Sequence, residues 1–252
     1  MSRMPRMRRL FTLLGIELKL AFRSPDMVLF AILMPVIVLV TVGLVFGPGP
    51  DDGPGMIDVT IGAFLAIGVC AVGLMGLPLG LAEYRSRKVL KRLRVTPVHP
   101  GLLLSVQMIA QSIVSIVSAL VVAATAIVGF GVRLDGAPFL IAGAYLLVMV
   151  SIFSIGLVIA STARDVKRAG IIASIVYFPM LLFSGTTVPF PVFPEAVQRA
   201  AAILPLRHGI ELLNAAALGS PVVDLLPRAA LLAAIAIVGI IVSVQTFRWD
   251  ME

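Results

Sequence analysis

Asp, Glu, Lys and Arg are absent from six long stretches of this chain, at positions 27–46, 59–82, 102–130, 137–161, 169–188 and 229–247. A helix of about 20 apolar residues, rising 1.5 Å per residue, crosses a hydrocarbon core about 30 Å thick. Each stretch therefore predicts a membrane-spanning helix. The third is long enough to tilt or to project beyond the bilayer. Pro35, Pro78 and Pro179 lie inside three of the stretches, where each removes a backbone donor and is expected to kink its helix.

Two further segments follow other patterns. In 10–22, Leu10, Leu13, Leu14, Leu18 and Ala21 recur every three or four residues, with Glu17, Lys19 and Arg23 between or beside them. That spacing predicts an amphipathic helix lying on the membrane surface ahead of the first span. Between the fifth and sixth stretches the chain is apolar but broken by Pro189, Pro191, Pro194 and Pro205. Two short helices, near 194–204 and 206–216, are expected there, dipping back into the outer leaflet. The predicted fold class is an all-α integral membrane protein: six transmembrane helices, an N-terminal interfacial helix, a short cytoplasmic helix after the second span and short re-entrant outer helices. One domain, 1–252, is expected. It comprises a cytoplasmic interfacial segment 1–26, a cytoplasmic loop 83–101 and an extracytoplasmic helical segment 189–228.

Composition agrees with that reading. The chain is 60% hydrophobic and 13% charged, with a mean hydropathy of +1.08. A soluble domain carries roughly a quarter charged residues. The N-terminus has basic residues, but Glu17, Lys19 and Arg23 interrupt its apolar character. The first uninterrupted run ends without a small-x-small cleavage pattern, so it is read as a retained span. Cys70 is the only cysteine and reads as a small buried side chain.

The net charge is +7, and its distribution is one-sided. Sixteen of the twenty basic residues fall before the first stretch, after the second, after the fourth or after the sixth. Arg133, Arg199, Arg207 and Arg228 fall on the other side, among Asp51, Asp52, Asp135, Glu195, Glu211 and Asp224. The positive-inside rule places both termini in the cytoplasm and predicts a cytoplasmic-membrane protein.

The densest charge lies between Glu83 and Pro97, where six of fifteen residues are Arg or Lys. As a helix this stretch sets Val89, Leu90 and Leu93 in a narrow apolar stripe ringed by Arg85, Lys88, Arg92, Arg94 and their neighbours. Thr96 and Pro97 would end it, because proline disfavours a helical residue before it. A solvated loop touching anionic lipid accounts for the charge alone. A short helix inserted into a groove on a cytoplasmic partner accounts for the stripe as well.

Other chemistry is sparse. No lysine follows a glycine, so a phosphate-cradling Gly-x-x-x-x-Gly-Lys-Ser/Thr loop is excluded. The six charge-free stretches also contain no histidine, which disfavours a proton- or sodium-coupled carrier. His99 and His208 have no second ligand at metal-binding spacing, and no catalytic or metal residue is assigned. Glu17, Glu83 and Asp165 are too scattered for a membrane enzyme's active site. The basic patch lacks interleaved aromatics beyond Tyr84, so nucleic acid is not an expected partner. Gly43-x-x-x-Gly47 and Gly76-x-x-x-Gly80 permit close helix packing. Gln107, Gln111, Ser112, Ser115, Ser118 and Thr125 recur along the third stretch without keeping to one strict face. Phe64, Gln111, Ser115, Tyr177, Phe183 and Ser184 are the candidates for a substrate path.

Glu83 followed by a basic helix and "LKRLRVTPVHP" resembles the coupling segment of the ABC type-2 exporter permeases. The outer segment resembles the same family through Ser184-Gly185, Pro189, Pro194 with Gln198, and Leu204-Pro205-Leu206. The opening "IELKLAFRSPDMVLFAILMPVI" is similar to the family's interfacial helix and first span, with Arg23-Ser24-Pro25 at the junction. The resemblance covers nearly the whole chain. It departs at Lys88, where many members have glycine. It implies a bacterial transport subunit without ATPase activity of its own, energised by a separate ABC ATPase that binds ATP and Mg. Glu83, Arg85, Val89, Leu90, Arg92, Leu93, Arg94, Thr96 and Pro97 would form the ATPase-coupling segment. A second permease chain, identical or not, and membrane lipid are the other expected partners. The apolar spans favour efflux of amphipathic drugs or antibiotics, with export of lipid or glycan as the alternative.

Overall fold

A computed structural model describes residues 6–47, 55–86, 100–163, 165–186 and 193–246. Every regular element among them is helical. Six helices are long and apolar enough to cross a membrane. They are span one (Pro25–Phe46), two (Met56–Ser86), three (Leu104–Phe130), four (Pro138–Thr162), five (Val166–Phe183) and six (Val222–Thr246). The chain is an all-α integral membrane protein. Six crossings bring both ends of the described chain to one side, called proximal here; the opposite side is distal.

The observed bounds differ from expectation at two places. Span two runs on past position 82 to Ser86 and takes in Tyr84 and Arg85. Span six begins at Val222 rather than 229, which brings Pro227 and Arg228 inside a helix assigned to the outer loop from sequence. Both extensions carry a charge that has found a partner, as described below.

The interfacial helix runs Arg6–Arg23 and stops at Ser24, which is extended (φ −75°, ψ 114°) ahead of Pro25. Its expected stripe, Leu10, Leu13, Leu14, Leu18 and Ala21, is half-buried, and the helix packs beside span three. Phe11, Ile16 and Leu20 are exposed. The helix therefore has two apolar faces, one toward the bundle and one toward lipid.

Span two is the centre of the bundle: every residue from Ile61 to Leu74 is buried. A helix apolar on all sides must be enclosed on all sides, and spans one, three, four and five surround this one. Small residues set the approach distances. A Cβ on Gly68 would overlap the Ser118 hydroxyl, one on Gly80 the Gln107 amide, and one on Gly156 of span four the Gly73 carbonyl oxygen. The Gly76/Gly80 pair is therefore a packing face, met by Met27 of span one and Gln111 of span three at Gly76 and by Gln107 at Gly80. Gly43 likewise receives the Phe130 ring. Gly47 does something else: at φ 73° it terminates span one.

Pro35 and Pro78 each follow a widened π-helical turn by two residues. Met34 N–H donates to the Leu29 carbonyl and Leu77 N–H to the Val72 carbonyl, five residues back. Pro35 has no N–H for the carbonyl four residues earlier, that of Ala31. The Ser118 hydroxyl of span three donates to that carbonyl instead. Ser118→Ala is expected to cost about 1 kcal/mol and lower the thermal midpoint by about 2–4 °C. Adding Pro35→Ala supplies an N–H in place of the lost partner. The double variant should recover stability relative to Ser118→Ala; a further additive loss in a thermal-shift series would contradict this account.

Gln107, Gln111, Ser115 and Ser118 all turn inward along one face of span three. The expectation of no strict face came from grouping them with Ser112 and Thr125, both half-buried. Thr125 instead donates to the Val121 carbonyl of its own helix at 2.8 Å. Tyr145 of span four donates to the Ser115 carbonyl at 2.6 Å, and the two hydroxyls lie 2.8 Å apart.

On the distal side the short helices run Glu195–Ala201 and Pro205–Ala217. The second enters the bundle, with Leu206, Gly209, Ile210, Leu212, Leu213, Ala216 and Ala217 buried. It meets Val148 of span four at Gly209, and Asn214 Oδ1 accepts the Gly62 N–H of span two at 2.7 Å. A helix returning beside the spans keeps its backbone bonded internally, as a re-entrant segment must.

Candidate functional site

The proximal end of span two is where the bundle meets the basic stretch. The last helical turns, Leu77–Ser86, carry Glu83, Tyr84 and Arg85. Val89, Leu90, Arg92, Leu93, Arg94, Thr96 and Pro97 lie outside the described residues.

Tyr84 and Arg85 bind two different elements. The Tyr84 hydroxyl donates to Glu17 Oε1 of the interfacial helix. Arg85 Nη1 donates to the carbonyls of Ala160 and Ala163, at 2.6 and 2.7 Å, at the end of span four. The last four carbonyls of any helix lack intrahelical donors, and that end carries partial negative charge. A guanidinium there satisfies both needs. The packing supports it: Ala82 is buried against Ala163 and Ala169, so the end of span two sits on the turn joining spans four and five. Asp165 caps the start of span five by accepting the Arg168 N–H at 2.8 Å. Glu83 is exposed beside these contacts, and Ser86 Oγ donates to its carbonyl at 3.0 Å.

This geometry separates two residues that sequence grouped as one segment. Glu83 faces outward at the root of the basic stretch, whereas Arg85 turns inward and holds span four. The end of span two is thereby tied to the interfacial helix through Tyr84 and to span four through Arg85. The sequence carried no spacing signal for either long-range contact.

The substrate-path candidates do not form one lining. Phe64, Gln111, Ser115 and Tyr177 are buried in the bundle. Ser115 is held by Tyr145, and Tyr177 meets Phe178 edge-on with ring centroids 5.3 Å apart. Phe183 and Ser184 lie together at the distal end of span five. Phe183 is exposed and tilts against Phe193 at 6.0 Å, while the buried Ser184 hydroxyl donates to the Met180 carbonyl.

A charged cluster on the distal side was missed. Glu211 accepts from Arg207 Nη2 at 2.8 Å and from Arg228 Nε at 2.9 Å. Arg207 and Glu211 are four residues apart on a helix, a pairing the sequence does signal; Arg228 comes from span six. No group of three or more His, Cys, Asp or Glu able to hold a metal ion occurs among the described residues.

Residues 8–218 match the family described as ABC-2 type transporter. A Bacillus subtilis (strain 168) protein named as a candidate transport permease, YvfS, is 24% identical over 193 residues, covering 76% of this chain and 78% of that protein. Nodulation protein J of Rhizobium leguminosarum bv. viciae is 32% identical over 95 residues, or 38% of this chain and 37% of its own. Nodulation protein J of Neorhizobium galegae is 36% identical over 72 residues, covering 29% of this chain and 28% of that protein. The family match takes in the interfacial helix, the first five spans and the re-entrant helix, and the chain belongs to the ABC-2 type transporter family.

Proposed function

We propose that this chain is the membrane-spanning subunit of an ATP-driven exporter, energised by a separate ABC ATPase that docks on the Glu83–Pro97 segment. One observation carries the reading: the turn of span two that leads into the basic stretch is fastened to both the interfacial helix and span four. A docking helix rooted there would move three membrane elements together. Val89, Leu90 and Leu93 supply its apolar contact, and Arg92 and Arg94 its charge. Thr96 and Pro97 end it. Glu83 stands at its base. ATP and Mg bind the partner.

The one-sided basic charge orients the proximal side and both termini toward the cytoplasm of a bacterial cell. Six spans make half of a transporter, so two permease chains, identical or not, work with two ATPase domains. Amphipathic drugs or antibiotics are the cargo favoured by the apolar spans. They would move past Phe64, Gln111, Ser115, Tyr177, Phe183 and Ser184 as the bundle opens.

The test is co-purification with the ATPase encoded beside this chain. Replacing Val89 and Leu93 by Asp while reversing Arg92 and Arg94 to Glu should reduce ATPase capture at least about ten-fold, because desolvated anchors dominate such interfaces. Undiminished capture by that variant sinks the docking role. A cysteine-accessibility map that places Arg92 outside the cell sinks the orientation.

A further inference from the structure

We propose that Arg207 and Arg228 form a clamp for the anionic headgroup of an amphiphile, with Glu211 as the resident carboxylate that such a group displaces. The clamp is assembled from two elements, Arg207 on the re-entrant helix and Arg228 on span six. Each oxygen of the Glu211 carboxylate takes one arginine. The contacts are made by Arg207 Nη2 and Arg228 Nε, and a guanidinium offers phosphate the same planar set of donors that it offers carboxylate.

The cluster is partly sheltered and still reachable. Side-chain exposure is 19% for Arg207, 31% for Glu211 and 37% for Arg228. Partial burial strengthens the attraction for an anion relative to open water. The neighbouring charged and polar groups have contacts of their own. Arg228 Nη1 donates to the backbone carbonyl of Asp224, whose side chain is exposed. Glu195 and Arg199 pair with each other at 3.3 Å and are almost fully exposed. His208 Nε2 contacts the Ala202 carbonyl at 2.9 Å.

The surroundings suit an amphiphile rather than a free ion. Ile203 and Leu231 are exposed at 80% and 41%. Leu231 lies one turn beyond Arg228 along span six, on the same side of the helix. A phosphate at the arginines would leave an alkyl chain along that surface. Exchange of Glu211 for the ligand would also break the ion pair between the re-entrant helix and span six. The chemistry is that of a phosphate-bearing amphiphile, whether resident phospholipid or exported compound. It does not depend on which protein energises the chain.

The test uses the full chain in phosphatidylcholine nanodiscs, measuring association of spin-labelled phosphatidylglycerol against spin-labelled phosphatidylcholine. Arg228→Gln should lower the preference for the anionic lipid about five-fold, the scale of one arginine at a membrane surface. Glu211→Gln should raise it by a similar factor, because the competing carboxylate is gone. Opposite signs alone would follow from the change in surface charge, so the same exchanges in the exposed pair, Arg199→Gln and Glu195→Gln, are the control; shifts there as large as those at Arg228 and Glu211 overturn the clamp. The proposal is overturned if both variants leave the preference unchanged or shift it the same way. Should Arg228→Gln not fold, Glu211→Gln decides alone, and an unchanged or lowered preference then overturns the clamp. Dodecyl phosphate separates the sources. Displacement of the labelled lipid at low mole fraction assigns the clamp to a soluble amphiphile, and persistence of the Glu211→Gln gain without displacement assigns it to bilayer lipid.

Discussion

Gly156→Ala is expected to destabilise the bundle by about 3 kcal/mol and lower its thermal midpoint by about 6–12 °C, at the severe end of overpacking. Span four crosses span two where Gly156 faces Gly73, and an added methyl would fall on the Gly73 carbonyl oxygen. Overpacked side chains usually relax by changing rotamer. A backbone oxygen cannot. It belongs to the π-helical turn Ala71–Gly76, whose geometry is set by Pro78 two residues on. Span two also has no room to retreat, because it is enclosed on all sides. The matched control is Gly143→Ala in the same helix, where nothing lies within 4 Å of the added atom. That exchange should be neutral or stabilising by up to about 1 kcal/mol, through helix propensity alone. Size-exclusion of fluorescent fusions after a heat step measures both. Equal midpoints for the two variants would remove the close Gly73–Gly156 approach from the description of this fold.

The same contrast explains what could be read in the sequence. The six spans were legible because length and freedom from charge are properties of single stretches. Their ends were less so where a charge is neutralised by a distant residue. Arg228 reads as a loop residue until Glu211, seventeen positions earlier, is known to face it. Arg85 reads as one more cation of the basic loop until the carbonyls of Ala160 and Ala163 are placed beside it. The inward face of span three is legible in the spacing of Gln107, Gln111, Ser115 and Ser118, at intervals of four, four and three. It was obscured by Thr125, which satisfies itself within its own helix. Pro35 carries a subtler signal. A proline inside a span orphans the carbonyl four residues before it, so some donor must meet Ala31, but the sequence does not say that the donor is Ser118. The proposed docking stripe of Val89, Leu90 and Leu93 rests on sequence periodicity alone, and the contacts of Tyr84 and Arg85 fix only the end of span two that precedes it.

Those contacts yield the second large effect. Arg85→Met should leave ATPase capture intact and reduce transport on the order of 100-fold, toward the upper end of coupling energies between sites. Methionine keeps an unbranched apolar stem like that of arginine, so the exchange disturbs local packing least. It supplies no donor, and the Ala160 and Ala163 carbonyls lose the guanidinium that joins span four to span two. A docked ATPase would then still move the basic stretch, but span four would no longer be obliged to follow. Arg85→Lys keeps a cation at the helix end on a differently shaped head group, and should fall between the two. Tyr84→Phe removes only the hydroxyl that meets Glu17 and should leave span four coupled, with the interfacial helix released. The measurements are ATPase co-purification, ATP hydrolysis by the complex and cargo movement in the same proteoliposomes. Hydrolysis that continues while transport falls is the signature of a severed connection. Loss of ATPase capture in Arg85→Met would instead make Arg85 part of the docking surface. Unchanged transport would show that span four is driven by another route.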